Sequence, residues 1–301
     1  MSNYHVPVLL EESIGGLAID KGRKQIFVDL TYGGGSHSAK ILQAMGKESF
    51  LFAFDQDADA LVNRISDERL IFVEANFRYF AKFLRLYEVF EVDGILADLG
   101  VSSFQLDEKT RGFSYRDNQK LDMRMNINQK LTAADILNRY SEEELVRLFS
   151  EYGEVRNSRQ LAKKIISDRQ RLVFSGTNGF IDSIQGLIMG NRIKYLSQVF
   201  QALRIEVNDE INSLSEMLTA AAGVLKSGGR LSVISYHSLE DRLVKNLIKK
   251  GNVSGQMERD NNGNRNLVFR EVEKGVIEPG NDELRKNTRS RSAKLRIAEK
   301  I

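Results

Sequence analysis

The sequence contains no cysteine. That excludes disulfides, thiolate zinc sites and cysteine nucleophiles, and it suits a reducing compartment, so a cytoplasmic location is expected. Histidine is scarce, with only His5, His37 and His237 in 301 residues. A histidine-based metal site would need nearly all of them, and no metal is expected. No apolar run approaches the roughly 18 residues of a membrane span. The opening Met1-Ser2-Asn3-Tyr4-His5-Val6 lacks a basic stretch followed by an apolar one, so neither a membrane segment nor a secretory leader is expected. Neither sign of charge dominates: 44 basic residues stand against 41 acidic ones, a net charge of +3. That balance names no partner by itself, and the placement of charge matters more. What is present is 42% apolar and 28% charged residues, a globular balance. The length suits one large domain, or a domain of roughly 200 residues carrying an insertion of about 100.

The first hundred residues alternate strand-like and helix-like pieces. The short apolar runs 25–30, 49–54, 70–73 and 93–98 read as buried parallel strands. Helical spacing follows the first of them at Ile41, Leu42 and Met45. Asp57 is a candidate N-cap before Ala60, Leu61 and Ile65, and 79–87 reads as helix. Strands alternating with helices imply βαβ units and a parallel sheet. The pattern changes from about Asp107 to Leu196, where no strand run stands out. There Ser141-Glu142-Glu143-Glu144 opens a helix as a capping box, and Leu161, Ile165 and Ile166 mark another. The segment reads as a helical insertion between the fourth and fifth strands. Helices over 198–206 and 209–225, a turn at 226–229, a fifth strand at 230–235 and a helix at 238–249 resume the rhythm. An Asn- and Gly-rich loop at 251–266 and half-exposed strands at 267–272 and 292–298 complete the chain. No repeat of fixed period is present.

Several constellations can carry chemistry. Asp29-Leu30-Thr31-Tyr32-Gly33-Gly34-Gly35-Ser36-His37-Ser38 joins the first strand to its helix. Three glycines allow positive φ and close backbone approach, and the helix start behind them favours an anionic group. A bare tight turn is the competing reading. Asp55 follows Gly35 by twenty residues at the end of the second strand, where a carboxylate can accept hydrogen bonds from ribose hydroxyls. Its alternative is a simple cap. Loop and acid together point to a nucleoside-containing cofactor. The dinucleotide fingerprint G-x-G-x-x-G is not met, because Ser38 occupies the last position, so S-adenosylmethionine ranks ahead of NAD. Phe77, after the third strand, can pack on an adenine or lie in the core. Asp98 ends the fourth strand, in the crevice where open α/β sheets bind ligands. It can meet the ammonium of a methionine moiety or accept a hydrogen bond from a substrate amine. Gln105 can read either cofactor or substrate.

Two further stretches draw a weaker reading. Tyr236-His237-Ser238-Leu239-Glu240-Asp241 invites a hydrolase interpretation, but no G-x-S-x-G elbow exists and Ser238 fits as an N-cap. Leu121-Asp122-Met123-Arg124-Met125-Asn126 reads as a helix turn with methionine packed inward. At the far end, Arg285, Lys286, Arg289, Arg291, Lys294 and Arg296 fall within twelve residues without an acid. Such a run is either a solvated face or a contact for nucleic-acid phosphates.

With these residues in view, the chain resembles the RsmH (MraW) family of small-subunit ribosomal RNA methyltransferases. The resemblance runs nearly end to end. It is carried by 5–12, the glycine loop ending in His37-Ser38, Asp55, 98–103, Arg111-Gly112-Phe113-Ser114, 121–125, 200–205, 235–242 and 289–296. The chain departs from the family pattern at Ser36, Phe104, Thr288 and 194–197. The resemblance implies a Rossmann-like S-adenosylmethionine-dependent methyltransferase sheet, of α/β class, with an inserted helical domain. Its implied division is a first methyltransferase part over 1–106, a substrate-side helical domain over 107–200 and a second part over 201–301 with the basic C-terminal segment. It also implies N4-methylation of a cytidine in the decoding region of 16S ribosomal RNA, in the small ribosomal subunit, and leaves a homodimer open. The implied cofactor contacts are Gly35, Ser36, His37, Asp55, Phe77, Asp98 and Gln105.

The chemical problem such an enzyme faces is a poor nucleophile, because the cytosine N4 lone pair is delocalised into the ring. The expectation is that Asp98, or a backbone carbonyl in 99–103, accepts the N4–H bond, that Phe104 stacks on the base, and that water takes the proton. An NAD-type oxidoreductase and a non-catalytic RNA-binding protein are the rival readings. The missing third glycine speaks against the first, and the presence of the loop, Asp55 and Asp98 against the second.

Overall fold

A computed structural model describes residues 7–102, 105–106, 110–259 and 263–301. The chain separates into two compact units, one formed by 1–100 with 211–301 and the other by 101–210.

The first unit is built on a seven-stranded sheet. Its strands are β1 Ile26–Asp29, β2 Phe50–Asp55, β3 Leu70–Glu74, β4 Val92–Asp98, β5 Leu225–Ser235, β6 Phe269–Glu271 and β7 Lys294–Lys300. Their spatial order is β3-β2-β1-β4-β5-β7-β6. The first five run parallel, and β7 is antiparallel to both β5 and β6. This is a Rossmann-like order whose direction reverses between β1 and β4, the place where such sheets open a crevice. The apolar runs are continuous because both faces are covered. Along β2, Leu51 and Ala53 face a core with Ile41, Leu42 and Met45, while Phe52 and Phe54 face the opposite core with Leu218 and Leu247. The first core holds α2 (Ser36–Ala44) against the sheet. The second holds α3 (Phe80–Leu86), α9 (Glu210–Val224) and α10 (Ser238–Lys250). Each fully buried Phe or Leu contributes roughly 1.5–3 kcal/mol, so this layering is the main source of stability.

Two local expectations need correction. The turn expected at 226–229 lies inside β5. Val92 pairs with Leu225 and Gly94 with Arg230, so the intervening residues of β5 bulge out of register, with Gly228 at φ +79. The cap of α10 is His237, not Ser238. The His237 side chain accepts from the Glu240 N–H, and the Glu240 carboxylate reaches back to the backbone.

The second unit contains α4 (Ala133–Arg139), α5 (Glu142–Glu151), α6 (Ser158–Asp168), α7 (Thr177–Ile184) and α8 (Arg192–Asn208), and no strand is found among its described residues. Ser141 and Glu144 form the expected capping box of α5. The unit extends past the 107–200 expected for the insertion. Tyr195, Leu196, Val199, Phe200, Leu203 and Val207 of α8 all enter its core, beside Leu148, Phe149, Leu161 and Phe180. Within 194–197, Tyr195 donates to Asn157 Oδ1 and Ser197 meets the Tyr115 hydroxyl. The 121–126 stretch is not helical. Met123 and Met125 are buried as expected, but Met123 holds φ +60 and the loop is pinned from afar. Asn208 accepts the Met125 N–H and donates to the Met123 carbonyl.

Candidate cofactor and active site

The strand ends of β1, β2 and β4 carry Asp29, Asp55 and Asp98, and the loop 30–35 ties them together. Thr31 N–H donates to Asp29 Oδ1, and Gly33 N–H donates to Asp55 Oδ2 at 2.8 Å. Asp98 N–H donates to Thr31 Oγ1 at 2.7 Å, and Tyr32 N–H donates to the Phe54 carbonyl. Gly33 and Gly35 sit at φ +51 and +78. At Gly35 the requirement is double, since a Cβ there would stand 2.7 Å from the Tyr32 hydroxyl. That hydroxyl is itself fixed, donating to the Asn63 carbonyl and accepting from the Ile65 N–H. Gly35 also caps α2 without a side chain. The first-turn N–H groups at Ser36, His37 and Ser38 have no intrahelical acceptor and carry the positive end of the helix dipole.

The helix begins at Ser36, so Ser36 and His37 belong to its first turn. His37 is buried, with Nε2 3.2 Å from the Val8 carbonyl. A carbonyl only accepts, so Nε2 carries the hydrogen in that bond. Nδ1 lies 3.9 Å from Asp98 Oδ2, too far for a hydrogen bond and near enough for a charge interaction. Asp29 is fully buried and accepts a 2.6 Å bond from Ser38 Oγ. Burial raises its carboxyl above the ordinary range, against the neighbouring His37 and the Ser38 and Thr31 donors.

Asp55 and Asp98 share one electrostatic character. Burial pushes Asp55 up to about 6, even though the Asp57 and Gly33 N–H groups donate to it. Asp57 is the expected cap, accepting from Asp59 N–H, but of a 3-10 turn over 58–63 that ends before Ile65. Each Asp55 oxygen receives one backbone donor, leaving acceptor capacity for sugar hydroxyls. Burial likewise raises Asp98 to about 6, with His37 and the Tyr236 hydroxyl lowering it and Asp29 and Glu240 raising it. The Asp98 side chain is 23% exposed, so it is still reached from solvent. Phe77 opens a 3-10 turn capped by Asn76 and is half-buried against the sheet core.

The first unit therefore brings together Gly35, Ser36, His37, Asp55 and Asp98, with Phe77 one strand further out. Gln105 belongs to the second unit, where it is buried, exchanging hydrogen bonds with Ser102. Ser103 and Phe104 lie outside the described residues. The hydrolase reading of 236–241 fails on geometry as well. His237 is a helix cap, and Asp241 forms a bidentate ion pair with Arg296. That pair also removes Arg296 from the basic run, because its side chain is buried, whereas Arg285, Lys286 and Arg291 are exposed. Sequence reasoning missed Tyr236 and Asp29 as site residues. Their shared signal was position, since Asp29 ends β1 and Tyr236 follows β5 directly, both on the edge where the sheet binds ligands.

A sequence profile of the MraW methylase family matches residues 2–301. The chain is 53% identical over 298 residues to a protein of Phocaeicola vulgatus named ribosomal RNA small subunit methyltransferase H, covering 99% of this chain and 97% of that one. It is 52% identical over 302 residues to a protein of the same name from Parabacteroides distasonis, covering 100% of this chain and 98% of that one. Among solved structures, an rRNA methylase from Streptococcus thermophilus aligns over 99% of both chains, at 14% identity and a TM-score of 0.45. The family profile spans the glycine turn, the three strand-end acids and the helical insertion alike, and this chain belongs to the MraW methylase family.

Proposed function

We propose that this protein transfers the methyl group of S-adenosylmethionine to the N4 amine of a cytidine in the decoding region of 16S ribosomal RNA, acting on the small ribosomal subunit in the cytoplasm. Family membership and the names of the relatives support methylation of small-subunit rRNA. The observation that carries the cofactor reading is the linkage of Asp29, Asp55 and Asp98 through one glycine turn whose Gly35 admits no side chain. The residues fit the group. The open first turn of α2 suits a carboxylate, Asp55 suits ribose hydroxyls, and Phe77 offers a ring for adenine. No second glycine is needed at Ser36, because its backbone N–H serves equally.

When bound, the donor supplies a methyl group on a sulfonium whose positive charge is lost on transfer. The protein's share is positioning and charge. Asp98 accepts a hydrogen bond from the N4 amine and holds the nitrogen in line with the methyl carbon. With the donor bound, the N–CH3 bond would form as the methyl–sulfur bond breaks toward sulfur, and the N4 proton would leave for water while Asp98 holds the amine. Extruding the base costs a few kcal/mol, less in an irregular RNA loop. Alignment returns roughly 7–11 kcal/mol in favourable systems, so orientation outweighs extrusion.

The test offers radiolabelled donor to small subunits lacking the modification and maps the label. Label on the N4 amine of a single decoding-region cytidine is expected. Label elsewhere, or none, contradicts the reading.

A further inference from the structure

The Asp98 carboxylate is held in a fixed orientation. Its Oδ1 accepts a 2.8 Å hydrogen bond from the Tyr236 hydroxyl. Tyr236 is the first residue beyond β5, and the β4–β5 register sets Asp98 opposite Ile234. The tyrosine is secured at both ends. Its backbone N–H donates at 2.8 Å to Oε2 of the buried Glu240. Its ring lies beside Gly100, which takes φ +95 and whose Cβ, if present, would stand 3.4 Å away. The chain leaving β4 thus passes close against the ring. The titratable groups facing this pair are His37 from α2, Asp29 from β1, Glu240 from α10 and Glu283 from the helix 281–286. Among them only His37 is not a carboxyl group, and its Nδ1 stands 3.9 Å from Oδ2, beyond hydrogen-bond distance. The phenol is therefore the one side chain among the described residues that donates to Asp98 at hydrogen-bond distance.

We propose that Tyr236 is a positioning residue for methyl transfer: its hydroxyl occupies Oδ1 of Asp98 and leaves Oδ2 as the oxygen that accepts the N4–H of the incoming cytosine. This rests on the function proposed above. A phenol has one hydrogen to give, so committing it to Oδ1 fixes the carboxylate plane and removes the choice between oxygens. Donation to a carboxylate also favours its ionised form. Tyr236 thereby opposes the burial that raises Asp98 to about 6.

Tyr236→Phe keeps the ring and its packing and deletes the donor. With small subunits and saturating donor, kcat is expected to fall roughly tenfold to a hundredfold, the worth of one hydrogen bond to a charged group. KM for S-adenosylmethionine stays unchanged, and the acid limb of kcat moves to higher pH because ionised Asp98 has lost a donor. A fluorinated tyrosine at position 236, a stronger donor, moves that limb to lower pH. A Tyr236→Phe protein with unaltered kcat and an unmoved acid limb overturns the proposal. A fall in kcat with an unmoved limb in both variants also overturns it, since that is what a purely structural role gives. If the unsubstituted protein methylates no RNA, the proposed function falls together with this inference; if it does and Tyr236→Phe matches it, only this inference falls.

Discussion

The aspartates that end the sheet strands behave oppositely to those of the helical unit. In the sheet unit, burial raises Asp29, Asp55 and Asp98, and no Lys or Arg is paired with any of them among the described residues. In the helical unit, Asp122, Asp135 and Asp168 are all lowered. Burial is the largest single influence on Asp122 too, but the side-chain and backbone bonds from Arg124 and the charges of Arg124 and Arg111 together outweigh it. Asp135 is held by the Thr132 cap, and Asp168 by Lys164 and Ser183. An acid that serves the fold is given a donor that stabilises its charge. The acids at the strand ends are raised by burial with no Lys or Arg paired to them among the described residues, which costs stability in the free protein and suits the cationic donor proposed above. Strongly perturbed groups in a crevice are the usual mark of a functional site.

That contrast is broken most directly at Asp98. Asp98→Asn should reduce methyl transfer by roughly two to four orders of magnitude, the range for a positioned proton-accepting group. The same substitution should stabilise the free protein at neutral pH. With the folded value raised from 3.8 to about 6, the stability contribution of Asp98 is present below pH 3.8 and lost as pH rises through 6. Asparagine removes that loss, a gain of roughly 1–3 kcal/mol by linkage. Denaturant unfolding at pH 7.5 and pH 4 measures it, and the gap between the proteins should close at the lower pH.

The basic C-terminal run supplies the next contrast. Arg296→Ala leaves the half-buried Asp241 without its bidentate partner and should cost about 1.5–3 kcal/mol in unfolding free energy. Arg291→Ala, at an exposed site, should stay within about 0.5 kcal/mol and instead weaken RNA binding with a shallower salt dependence. Gly35→Ala should cost roughly 1–2 kcal/mol from its left-handed backbone alone. The clash with Tyr32 adds to that, so the donor affinity measured by calorimetry should drop at least as steeply. The smallest effect belongs to the helical unit. Asp122→Asn should cost about 1–2 kcal/mol at pH 7 and leave donor affinity unchanged. Its sign opposes that of Asp98: the contribution is present above pH 3.8 and lost as pH falls through the depressed value.

Much of the sheet was legible because β1, β2 and β4 are largely buried apolar runs ended by Asp, a signal contained within each run. The same holds for α5, whose capping box is local to four residues. The place of Asp55 and Asp98 at strand ends was legible for the same reason, since it is a sequence property. What escaped was set by distant partners. The Tyr236 bond to Asp98 spans 138 residues, and no local pattern announces it. The 121–126 loop takes its shape from Asn208, more than eighty residues away. Arg296 looked like one more cation in a basic run until its partner Asp241, 55 residues earlier, was visible. The edge of the helical unit moved because α8 continues the helical periodicity without a break, and only its packing shows which core it fills.

The central claim is that the glycine turn and Asp55 hold an adenosyl sulfonium, and calorimetric titration of the folded protein tests it most directly. Saturable heat with S-adenosylmethionine and with its demethylated product, none with NADH, and loss of that heat in Asp55→Ala is the result predicted. No heat with either methyl compound, even with RNA present, or saturable binding of NADH instead, would contradict it.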